Sequence, residues 1–143
     1  MHTMRQILDR KQNKQICSIR PDASVYDAIK LMADRRVGAL LVMTGPELQG
    51  VISERDYARE VILKGRASRD TRVDEIMTVK VISVPSSHAV DAALNLMTDN
   101  HIRHLPVVDD GLVAGIVSLG DLVKHIMSDQ RATIEQLQNY IRS

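Results

Sequence analysis

Two seven-residue segments hold residue types that could do chemistry: Gly50-Val51-Ile52-Ser53-Glu54-Arg55-Asp56 and Gly115-Ile116-Val117-Ser118-Leu119-Gly120-Asp121. Each reads glycine, two β-branched residues, serine, two variable residues, aspartate. Ser-x-x-Asp ahead of an apolar helical run is a capping box, in which the serine accepts from a backbone N–H and the acid reaches back to another. The same turn has a second use. Where a strand runs into a helix, backbone N–H donors at the positive end of the helix suit a phosphate. A carboxylate beside them can accept two hydrogen bonds from a ribose diol. On spacing alone capping is the stronger reading, and the two roles are compatible.

The remaining reactive residue types form no such pattern. His88, His101, His104 and His125 fit no zinc spacing, and Cys17 is the single cysteine. Cys17 reads as a small apolar filler. Ser, His and Asp are all present, but no Gly-x-Ser-x-Gly elbow presents a nucleophile. The basic run Arg59, Lys64, Arg66 and Arg69 is interspersed with Glu60 and Asp70. It reads as a solvated face, with a phosphate-rich or acidic partner as the sharper alternative.

The elements that position the two segments follow from an internal repeat. Shifted by 65 positions, residues 16–62 align with 81–127 without a gap, and eleven of the 47 pairs are identical. They include Val25/Val90, Met32/Met97, Gly50/Gly115, Ser53/Ser118 and Asp56/Asp121. Each copy predicts a β-α-β-β-α unit. A first strand covers Ile16–Ile19 or Val81–Val84. A helix follows, with Val25, Ala28, Ile29 and Met32, or Val90, Ala93, Leu94 and Met97, on one face. Two strands then flank a turn: Ala39–Met43 and Leu48–Ile52, or Leu105–Val108 and Leu112–Val117. A last helix opens at Ser53 or Ser118 and runs to about Leu63 or Met127. Short helices precede the copies at Arg5–Arg10 and Val73–Met77, Lys64–Arg72 is a linker, and Thr133–Ile141 forms a separate final helix. The expected divisions are 1–70, 71–128 and 129–143, in a mixed α/β (α+β) fold. The Met residues at 32, 77, 97 and 127 fall on apolar helix faces.

The composition fits this picture. The chain has 143 residues, 44% of them apolar, with no Phe or Trp, so its core is aliphatic. A unit of roughly 60 residues is marginal alone. Two units sharing a core leave a seam with pseudo-two-fold symmetry, the usual place for a small ligand. A net charge of +1 gives no reason to expect nucleic acid. No apolar run is long enough to span a bilayer, no signal core follows the N-terminus, and one cysteine suits a reducing compartment. A cytoplasmic protein without membrane attachment is expected.

The repeat resembles the cystathionine-beta-synthase-type (CBS) domain, whose tandem pair is called a Bateman module. The resemblance covers residues 4–127. It rests on Val73-x-x-Ile76-Met77, on Ile102-Arg103-His104-Leu105-Pro106-Val107-Val108 and on both glycine-to-aspartate segments. It implies a stand-alone, non-catalytic module that binds adenine nucleotide, with AMP first and ADP, ATP or NAD as further candidates. Carried over, the motif serine lies near phosphate or ribose, the aspartate holds the ribose and first-strand residues sandwich the adenine. That names Ser118, Asp121, Val81 and Ile82 for one site, and Ser53, Asp56, Ile16 and Cys17 for the other. The family's basic pair falls on Arg103 and His104, which are expected to meet phosphate. The first copy has Gly38 and Ala39 there, unless Arg36 or Arg55 substitutes. The second copy is therefore expected to bind AMP more tightly, and the small residues of the first to leave room for a larger ligand such as NAD. The resemblance also implies a homodimer, through helices carrying Ile62, Val123 and Ile126, with Ile134, Leu137 and Ile141 adding to the contact. It implies action in trans on an effector protein, a thioredoxin-like partner being one candidate. The alternatives are a dimerisation module with degenerate sites and a nucleotide hydrolase. The latter needs an acidic metal cluster or an activated nucleophile, and the sequence shows neither.

Overall fold

The computed structural model describes residues 2–11 and 16–142. Its elements follow the repeat. Helix α1 spans Met4–Arg10, strand β1 Ser18–Ile19, helix α2 Val25–Arg35, strand β2 Ala39–Thr44 and strand β3 Glu47–Ser53. Helix α3, Glu54–Tyr57, runs on into a π-helical turn at Ala58–Ile62. After the linker come α4 (Val73–Ile76), α5 (Val90–Asp99), β4 (His104–Asp109), β5 (Leu112–Ser118) and α6 (Leu119–Arg142).

The two copies agree in backbone detail. β2 pairs antiparallel with β3, and β4 with β5, with register shifts at Val42/Met43 and at the equivalent Val107/Val108. The chain leaves α2 and α5 through left-handed residues at equivalent places, Arg36 (φ 56°) and His101 (φ 55°). The hairpin turns use Gly45 (φ 57°) and Asp110 (φ 50°), a conformation that glycine and aspartate tolerate well.

Three expectations change. β1 is a short parallel partner of β2, bonded at Ser18↔Leu41 and Ile19↔Val42. Its counterpart over Val81–Val84 forms no strand, and only Val84 bridges to Val107. The cause is local. Thr78 pairs with Val51 in the other repeat, and the Val81 N–H turns back to the Val79 carbonyl at 2.9 Å. Pro85 follows and has no N–H to continue a ladder. The separate helix at Thr133–Ile141 is absent as such. α6 runs unbroken for 24 residues from Leu119, because the polar stretch Ser128–Ala132 contains neither glycine nor proline to stop it.

The third change concerns the segments ahead of the copies. α1 packs on the second repeat, where Met4 and Ile7 join Val84, Val90, Ala93, Met97, Leu105 and Leu122 in one core. α4 packs on the first, where Val73 and Ile76 join Val25, Met32, Leu40 and Ile52. The exchange is reciprocal to the hydrogen bond. Met4 N–H donates to His88 and Val90 N–H to His2, while Val73 N–H donates to Ala23 and Val25 N–H to Thr71. The motif glycines admit these visitors. A Cβ on Gly50 would lie 2.7 Å from the Thr78 carbonyl oxygen, and one on Gly115 2.7 Å from a Leu8 methyl. No helix among the described residues is long and apolar enough to cross a membrane.

Candidate functional site

Both Ser-x-x-Asp segments cap their helices. At the first, the Asp56 N–H donates to Ser53 Oγ at 3.2 Å, and the Ser53 N–H and Oγ–H donate to Asp56 Oδ2 at 2.9 and 3.0 Å. At the second, the Asp121 N–H donates to Ser118 Oγ at 3.0 Å and the Ser118 N–H to Asp121 Oδ2 at 2.9 Å. Capping ties one carboxylate oxygen to the backbone and aims the other outward from a fixed turn.

The seam between the repeats holds a cleft of 250 Å³. Its first wall is Gly38, Ser53, Glu54, Arg55 and Asp56, at the open ends of β2 and β3. Its second wall is Val81, Ile82, Ile102, Arg103 and His104, and Thr78 and Lys80 close one side. The strandless course of the 78–84 segment exposes the half-buried Val81 and Ile82 here. Arg55 ties the walls together, its guanidinium donating to the His101 carbonyl at 2.9 Å. The Thr78 hydroxyl donates to Asp56 Oδ1 at a long 3.4 Å, so that oxygen stays available. Lys80 and Arg103 make no ion pair among the described residues.

This grouping differs from the expected one. Val81 and Ile82 line the same cleft as Ser53 and Asp56, and Ser118 and Asp121 do not line it. Arg103 and His104 line it too. Ile16 is partly exposed and Cys17 is buried in the first core, neither facing this cleft. Ala39 is buried beneath it, paired with Ser53 across the sheet. Gly38 does not leave room for a larger ligand, because the His104 ring fills the space: a Cβ on Gly38 would lie 3.3 Å from Cε1. Arg36 ends α2 as its left-handed cap and lies off the cleft. Ser118 lines an open cavity of about 610 Å³ with Arg103, His104, Lys124 and Arg131. Asp121 lines a separate cavity of 380 Å³ with Arg10, Lys11, Lys124 and His125.

The electrostatics differ too. Burial holds the His104 imidazole below its ordinary value, against the pull of the Asp121 and Glu54 carboxylates. It is neutral near pH 7, a hydrogen-bonding group rather than a charge. Burial pushes the Asp121 carboxyl up, but the Ser118 N–H and the Lys11 ammonium outweigh it and hold it below the usual range. Lys11 lies 3.1 Å from Asp121 Oδ2. Sequence reasoning missed Thr78, Lys80 and Lys11, which lie outside the repeat alignment. A second alignment, of 4–11 on 73–80, pairs Met4 with Val73, Ile7 with Ile76 and Lys11 with Lys80. No group of three or more His, Cys, Asp or Glu side chains among the described residues could hold a metal.

The profile of the CBS domain matches the chain twice, over residues 7–63 and 73–128. The chain belongs to the CBS-domain proteins. It is 44% identical over 126 residues to the mitochondrial CBS domain-containing protein CBSX3 of Arabidopsis thaliana, a match that spans 85% of this chain and 61% of that protein. It is 34% identical to the CBS domain-containing protein YhcV of Bacillus subtilis over 82% of this chain and 84% of that one. A solved CBS-domain protein of Burkholderia ambifaria superposes with a TM-score of 0.87 at 48% identity, over 90% of this chain and 96% of the other. The CBS pair thus accounts for both repeats and for the mixed helix-and-strand fold.

Proposed function

We propose that this CBS pair is a regulatory module without a catalytic step, which binds adenine mononucleotide in the cleft between its repeats and acts on a partner protein. One observation carries the reading: the cleft brings a ribose-competent carboxylate, Asp56, opposite an apolar wall, Val81 and Ile82, with three cations around it. Val81 and Ile82 would flank the adenine, Asp56 Oδ1 would accept from the ribose hydroxyls, and Arg103, Lys80 and Arg55 would face phosphate. Ligand pockets usually run from about 300 Å³ upward. A cleft of 250 Å³ suits a mononucleotide such as AMP better than NAD.

Calorimetry with AMP tests the site. Asp56→Ala is expected to abolish the tighter binding event and Asp121→Ala to leave it nearly intact. A charge-assisted hydrogen bond is worth roughly 1.5–3 kcal/mol, so the loss should be about tenfold or more. The opposite pattern rejects the assignment. Mass spectrometry of co-purifying small molecules identifies the native ligand.

The module acts as a homodimer in this reading. Ile62, Leu63, Val123 and Met127 are half or more exposed, or nearly so, on the helices that follow the two Ser-x-x-Asp segments. An effector protein then reads the state of the dimer.

A further inference from the structure

The two Ser-x-x-Asp turns are equivalent in backbone but not in what reaches them. At Asp56 a neutral hydroxyl stands at long range, and Lys80 in the same cleft makes no ion pair among the described residues. At Asp121 the equivalent lysine has closed in. Lys11 Nζ lies 3.1 Å from Asp121 Oδ2 and donates to the Ile116 carbonyl at 2.8 Å. Both side chains of the pair are about three-quarters covered, at 25% and 27% exposure. Screening is therefore weaker than for a surface pair. Lys11 immediately follows α1, which is anchored by Met4 and Ile7 in the second core. The ammonium is held in place by the helix rather than by a flexible tail.

We infer that Lys11 is a built-in competitor for nucleotide at Asp121, so that adenine nucleotide fills the Asp56 cleft first and gains Asp121 only by displacing the ammonium. This rests on the reading of the Ser/Asp turns as nucleotide sites. The ammonium sits on Asp121 Oδ2 beside the Ser118 N–H, so its positive charge already offsets the carboxylate, and a neutral ribose hydroxyl at Oδ1 meets the full negative charge only if the lysine moves. Displacement breaks the bonds from Lys11 to both Asp121 and Ile116, which frees the chain at Lys11 while Leu8 stays packed on Gly115 of β5. The second cleft therefore couples occupancy to the position of the N-terminal segment, and the first does not.

The test is calorimetric titration with AMP of the wild type, Lys11→Met and the double variant Lys11→Met/Asp121→Ala, each checked for native circular dichroism. The wild type should show one event per chain that depends on Asp56, with a much weaker second event or none. Lys11→Met should reveal or tighten the second event by about tenfold or more, the scale of one charge-assisted hydrogen bond, and leave the first unchanged. The double variant should lose that gain. Lys11→Gln serves if Lys11→Met does not fold. An unchanged or weaker second event in Lys11→Met overturns the inference, as does a gain that survives removal of Asp121. In either case an intact Asp56-dependent event leaves the nucleotide reading standing. Absence of AMP binding in all three proteins defeats the nucleotide reading and the inference with it.

Discussion

At the scale of single residues, Gly50 and Gly115 have equivalent places but different neighbours. A methyl on Gly50 meets a backbone oxygen, that of Thr78, and the Met77 sulfur at 2.9 Å, whereas one on Gly115 meets the mobile end of Leu8. Gly50→Ala should cost about 1–3 kcal/mol by overpacking, and Gly115→Ala clearly less, since Leu8 can rotate. Urea denaturation of both variants measures this, and equal losses would show that the close approach is not the cause. His125 sets a pH dependence. It is 5% exposed, and its Nδ1 lies 2.9 Å from the Arg10 guanidinium, so that nitrogen accepts. Burial, then Arg10 and the His2 ring, hold its pKa below the ordinary value, with Asp129 pulling the other way. The unfolded chain takes up a proton near pH 6.5 while the folded one resists, so stability is whole above that value and falls below it. The melting temperature should drop from pH 7.5 to 5.5, with His104 acting in the same sense. His125→Gln should flatten the drop, and an unchanged slope would remove His125 as its source. The Ser/Asp pairs were legible because one motif occurs twice. Lys11, Thr78 and Lys80 were not, because they lie outside the main repeat register, and the pairing of 4–11 with 73–80 in a different register does not say which repeat each segment reaches.

At the scale of elements, the helices and five of the six expected strands followed from the residue pattern. The first strand of the second copy did not form, because pairing depends on where the preceding segment is anchored, here at Val51. α6 was expected in two pieces, since a polar stretch resembles a linker when its backbone preference is ignored. Its far half is exposed throughout, with Ile134 at 53%, Leu137 at 58% and Ile141 at 81%. Short helices without packing are marginal in water. Met127, Ile134 and Ile141 recur every seven residues, with Val123 four residues before the first and Leu137 between the last two, at coiled-coil spacing. The unsupported stripe fits pairing with the same stripe of a second copy. Light scattering at tens of micromolar should give a dimer, and truncation after Ser128 should weaken it while the melting transition of the cores stays in place. A full-length chain that is monomeric at that concentration refutes the pairing.

At the scale of the whole molecule, the repeat made a two-part fold legible, but it did not show which part owns which helix. α1 completes the core of the second repeat and α4 that of the first. Sequence order suggests the opposite, because contiguity in the chain is no guide once two units can trade equivalent segments. Neither half is then complete alone. Residues 71–143 lack Met4 and Ile7, and 1–70 lack Val73 and Ile76. Expressed separately, each half should give the circular dichroism of a largely unfolded chain, while the full chain unfolds in urea in one transition by every probe. A folded monomeric half would break the argument. The reciprocal exchange also bears on descent. What one repeat lacks, a second copy of the same repeat supplies in the same place. The two halves of this chain therefore stand to each other as swapped subunits stand in a homodimer. An ancestor with a single repeat would have lived as an obligate pair, and duplication with fusion would have freed its two halves to diverge, one keeping its lysine in the same cleft as its aspartate and the other closing the lysine onto it.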